Sequence, residues 1–110
     1  MNIIKFLVNG SAPDPYIVTF TKENGKLNAF CTCPAGKNGQ CCKHRRNILS
    51  GNTKLIESNN HEQVTIIQSW LLGSDLEKAL IELEESESKF DYAKKRLSAA
   101  RKNAAKVMRS

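Results

Sequence analysis

Ile4, Phe6 and Val8 fall on alternate positions, and the pattern stops at Gly10 before the turn-rich stretch Ser11-Ala12-Pro13-Asp14-Pro15. A period of two followed by turn residues predicts a strand. Tyr16, Val18 and Phe20 alternate with Ile17 and Thr19. Asn24-Gly25 then supplies two residues tolerant of positive φ, and Leu27, Ala29 and Cys31 resume the alternation. That is a hairpin signal, and the whole predicts a three-stranded antiparallel meander whose last strand delivers Cys31 to a loop, Pro34 to Gln40. Tyr16, Phe30 and Trp70 are expected in the core.

The period then changes. Cys42 to Leu49 lacks helix breakers and ends at Ser50-Gly51-Asn52, which predicts a short helix of about two turns. Val64, Ile67 and Leu71 recur at helical spacing, with Trp70 and Leu72 broadening the apolar face. A second helix is therefore expected from Glu62 to Leu72, capped by Asn60 with Gln63 three residues on. After Gly73, Ser74-Asp75-Leu76-Glu77 is a capping box, and neither proline nor glycine follows it to the C-terminus. The third helix is thus expected to be long, about 50 Å for some 34 residues at 1.5 Å each. The fold class is α+β, with a small mixed domain over 1–73 and a long charged helix over 74–110.

A heptad runs along that helix without a skip. Leu76, Leu83, Phe90, Leu97 and Ala104 take one seam position, and Ala79, Ser86, Ala93, Ala100 and Val107 the other. Charge is segregated along it. Asp75, Glu77, Glu82, Glu84, Glu85, Glu87 and Asp91 face only Lys78 and Lys89 in the first half, whereas Lys94, Lys95, Arg96, Arg101, Lys102, Lys106 and Arg109 meet no acid in the second. Large residues opposite small ones, and acid opposite base, suit an antiparallel homodimer through this helix. The alternative is a helix packed on its own globule, with its charges arranged to suit the helix dipole.

Four cysteines at 31, 33, 41 and 42 lie within a dozen positions of 110, where a disulfide scaffold would spread them to staple distant loops. Cys41 and Cys42 are adjacent and Cys31 and Cys33 nearly so, which is tight for disulfide geometry. Clustering points to metal. Cys31-Thr-Cys33 and Cys42-Lys-His44 frame eight residues, and three thiolates with one imidazole suit tetrahedral Zn²⁺. In a strand Cys31 and Cys33 point to one side, and a helix N-terminus favours the Cys42 thiolate. By spacing, Cys41, three before His44, is an alternative to Cys42.

The stretch from Tyr16 to Leu49, with its C-x-C, spacer and C-x-H after a hairpin, resembles the SWIM zinc finger. The resemblance implies a ββα module with Cys31, Cys33, Cys42 and His44 as ligands, in a family associated with DNA binding and protein interaction. Arg45 and Arg46 stand where such modules usually carry apolar residues.

A site with four protein ligands is closed, so one structural zinc and no enzymatic activity are expected. There is no Ser/His/Asp set and no phosphate-cradling glycine loop, and His61 reads as a solvated residue at a helix start. A net charge of +6 suggests an acidic partner. Nucleic acid would be met by Lys37, Lys43, Arg45 and Arg46 around the zinc and by the seven basic residues of the tail. The alternative is a protein-interaction adaptor or small inhibitor using the module and the seam. The apolar run at the N-terminus is too short for a membrane span or secretory segment, so a reducing, cytoplasmic location is expected.

Overall fold

The computed structural model describes residues 2–109. Three strands, β1 (Asn2–Val8), β2 (Tyr16–Glu23) and β3 (Lys26–Cys31), form an antiparallel sheet in the order β1-β2-β3. Asn24 (φ 51°) and Gly25 (φ 77°) both adopt left-handed backbone at the β2–β3 turn, as a two-residue hairpin matched to strand twist requires. The register pairs Ile4 with Phe20, Phe6 with Val18 and Val8 with Tyr16, and it sets Val18 beside Cys31. Every second side chain therefore faces one layer. Ile4, Phe6, Val8, Val18, Phe20, Leu27 and Cys31 are buried there, with Phe6 edge-on to Phe20 at 6.0 Å.

The helices are α1 (Pro34–Lys37), α2 (Lys43–Leu49), α3 (Val64–Leu71), preceded by a 3₁₀ turn at His61–Gln63, and α4 (Asp75–Met108). Ile48, Leu49, Val64 and Ile67 complete the core. The chain from Leu55 to Glu57 runs along the free edge of β1: Asn9 N–H donates to Leu55 O at 2.8 Å and Glu57 N–H to Leu7 O at 2.7 Å. That edge is thereby covered. Lys22 Nζ reaches Trp70 O at 3.1 Å, near the end of α3, where a cation complements the helix dipole.

Several expectations change. The stretch from Pro34 to Gln40, expected as a loop, contains the single turn α1, with Pro34 at its first position and Cys33 as its cap. The second helix starts at Val64 and ends at Leu71, and Leu72 is 72% exposed. Asn60 does not cap it with its side chain. Its Nδ2 donates instead to Lys5 O at 2.8 Å and to Gln63 Oε1 at 2.7 Å, tying the turn to β1. Phe30, expected inside, is 58% exposed on the outer face of the sheet, while Tyr16 and Trp70 are half-buried.

The α4 capping box forms with one shift. Glu77 N–H donates to Ser74 Oγ at 3.1 Å, and the Glu77 carboxylate accepts from Gly73 N–H at 3.0 Å, because Ser74 N–H is already donated to Leu71 O. The helix spans 34 residues, none of them buried. The chain divides into two compact units, Met1–Glu77 and Lys78–Ser110.

Candidate metal centre

Cys31 ends β3, Cys33 caps α1, Cys42 caps α2 and His44 lies in the first turn of α2. One strand end and two helix starts thus converge, and the ligand atoms of these four buried residues all lie within 4.8 Å of one another. His44 Nδ1 is 3.8 Å from Cys31 Sγ. A tetrahedron with the usual Zn–S and Zn–N lengths has an S···N edge of about 3.6 Å, so the donor set and its spacing fit zinc. Cys41 is exposed and outside the cluster, which settles the ligand in favour of Cys42.

The surroundings support the charged sulfurs. Gly36 N–H donates to Cys33 Sγ at 3.3 Å, and a Cβ on Gly36 would lie 2.4 Å from Cys31 O, so this close turn has no room for a side chain. Arg45 Nε donates to Cys42 Sγ at 3.2 Å, its Nη1 to Ala29 O at 3.0 Å and its Nη2 to Gln40 O. One planar fork therefore ties a ligand sulfur to β3 and to the chain between α1 and α2. On the other side, the Tyr16 ring packs against His44 with centroids 5.1 Å apart. His44 Nε2 is buried with no hydrogen-bond partner among the described residues, close to Gly10.

Burial pushes the Cys31 thiol up to about 12. Burial also acts to raise Cys42, but the hydrogen bonds and charge of Arg45 outweigh it and hold this thiol below 9.0. His44 is lowered from 6.5, first by burial and then by the charge of Lys43, so the imidazole is neutral at pH 7 as coordination requires.

Of the basic residues proposed from sequence around the zinc, Lys37 and Lys43 are exposed and Arg46 is half-buried, whereas Arg45 is turned inward onto the site. Sequence reasoning missed that inward role. The signal was its spacing, three residues after Cys42 on a helix, where side chains of positions i and i+3 meet. All seven basic residues of the tail are exposed along α4.

Residues 6–46 match the family model of the SWIM zinc finger. The matched span takes in the last three residues of β1 as well as the hairpin. Together with the clustered Cys31, Cys33, Cys42 and His44, the match assigns one structural zinc ion to this site. No curated protein and no solved structure matches the chain.

Proposed function

We propose that the SWIM zinc finger of this chain is a non-catalytic binding module, and that the protein contacts nucleic acid through exposed cations. Three thiolates and an imidazole fill the zinc tetrahedron and leave no position for a reacting water. What supports nucleic acid is the second half of α4. From Tyr92 to Arg109 every residue is exposed, and Lys94, Lys95, Arg96, Arg101, Lys102, Lys106 and Arg109 stand there without one carboxylate. Lys37, Lys43 and Arg46 add positive charge around the zinc. Arg45 is not part of this set, because its donors hold the metal site together. A site of three thiolates suits a reducing compartment, and we assign the protein to the cytoplasm on that ground. Among the described residues no helix is long and apolar enough to cross a membrane.

Fluorescence anisotropy of the zinc-loaded chain with duplex and single-stranded DNA across a salt series tests this. Each phosphate contact contributes about −0.9 to the slope of log K against log salt on duplex DNA. Replacing Lys95, Lys102 and Arg109 by Ala is therefore expected to flatten the slope by up to about three. No binding at low salt removes the nucleic-acid reading.

A second reading, a protein-interaction adaptor, has its own observation. Ile3, Leu7, Ile17 and Phe30 are all at least 41% exposed on the outer face of the sheet, where Leu7 pairs with Ile17. Apolar side chains gathered on an exposed face mark protein contacts. If DNA does not bind, replacing Ile17 and Phe30 by Ser and testing whether a candidate partner is lost decides that case.

A further inference from the structure

The apolar seam of α4 is exposed along most of its length. No residue of the helix is buried, and Phe90, Leu97 and Val107 are 66%, 51% and 64% exposed. We propose that two copies of the chain pair through α4, antiparallel and in full overlap, with a twofold axis passing between Asp91 and Tyr92. Registers that set one heptad position opposite the other recur once in every seven residues of sliding. One of them brings the helix ends level, Asp75 of one copy beside Met108 of the other. In that register Phe90 lies opposite Ala93 of the second copy, Leu83 opposite Ala100, and Leu97 opposite Ser86. Large residues meet small ones at each of these three layers, while towards the ends Leu76 meets Val107 and Ala79 meets Ala104.

Charge selects the orientation. In a parallel in-register pair the flanking contacts would join Glu82 to Glu87, Lys89 to Lys94 and Arg96 to Arg101, every one between like charges. Antiparallel, Glu87 lies beside Lys94 of the second copy and Glu82 beside the uncharged Asn103. Lys89 near Arg96 is the one repulsive flank. Lys95, Lys102 and Arg109, spaced by seven, then share the line farthest from the seam and stay exposed. The pairing goes beyond the nucleic-acid reading and does not depend on it.

Sedimentation equilibrium of the zinc-loaded full chain is expected to return twice the 12.3 kDa chain mass. Monomer mass throughout the micromolar range overturns the proposal. Orientation is read by cross-linking in a Cys41→Ser background, where the remaining cysteines hold zinc. Ser86→Cys mixed with Leu97→Cys is expected to give an oxidised heterodimer, whereas Ser86→Cys alone gives none. A Ser86→Cys homodimer overturns the antiparallel arrangement, and failure of every combination to cross-link in a dimeric protein overturns pairing through this seam.

Discussion

Three thiolates and a neutral imidazole around Zn²⁺ carry a formal charge of about −1, and a buried charge is costly unless it is paired. Arg45 supplies the pairing cation and directs three donors at Cys42 Sγ, Ala29 O and Gln40 O. Arg45→Ala is expected to lower zinc affinity about 10–100-fold, the usual effect of losing an outer-shell partner, in competition with a chelator. Arg45→Lys recovers only part, because an ammonium cannot span three fixed acceptors. Exposed Lys43→Ala serves as the control. Gly36→Ala forces a methyl against the Cys31 carbonyl and is expected to cost about 1–3 kcal/mol, read as a lower unfolding midpoint. The ligands also set a pH dependence. In the zinc-free fold the neutral Cys31 thiol stabilises below its ordinary 9.0, and that contribution is lost as pH rises towards about 12. His44, lowered from 6.5, acts in the opposite sense, its contribution present above 6.5 and lost as pH falls below it. Zinc removes the alkaline loss by taking the thiolate, so the gap between zinc-bound and zinc-free stability widens from pH 7 to 10 in urea titrations.

Zinc ties β3, α1 and α2 together, and α1 and α2 have only 4 and 7 residues, too short to persist alone. Chelation is expected to free the amides of Val18 and Phe20 to exchange, while α4 keeps its helicity. Hydrogen exchange read by residue checks this, whereas far-ultraviolet circular dichroism is dominated by the 34 residues of α4 and would hide it. Unchanged protection at Val18 after chelation would contradict the metal's folding role. The long helix was legible because a capping box and a breaker-free run are local signals, and the strands were legible because Ile4, Phe6 and Val8 alternate against one layer. The zinc ligands were legible from spacing and family resemblance together. What escaped depends on tertiary contacts. Cys33 Sγ caps α1 through a proline- and glycine-rich stretch that composition assigns to a loop. Asn60 reaches β1 instead of its own helix, and Phe30 alternates correctly with Ala29 but lands on the outer face. The alternation of Leu27, Ala29 and Cys31 already set Phe30 on the opposite face, and the expectation of burial weighed its aromatic ring above that period.

At the scale of the assembled molecule, segregated charge gives the proposed pairing a geometric consequence. Each half of the two-helix rod combines the acidic half of one copy with the basic half of the other, so Lys94 is taken up beside the seam by Glu87. Lys95, Lys102 and Arg109 lie away from it, and a twofold axis sets the two copies of this line on opposite sides of the rod at opposite ends. One duplex cannot follow both lines without wrapping the rod, and duplex DNA, with a persistence length of about 50 nm, is too stiff for that over a helix of about 50 Å. The pair should therefore bridge two duplexes. Immobilised duplex saturated with the zinc-loaded protein is expected to capture a second, differently labelled duplex at low salt. Glu82→Lys with Glu87→Lys, which places like charge along both helices and opposes pairing, should abolish capture while adding cations that favour single-duplex binding. Capture that survives in a demonstrated monomer would instead mean that one chain holds two duplexes, and the bridging role of the seam would fall.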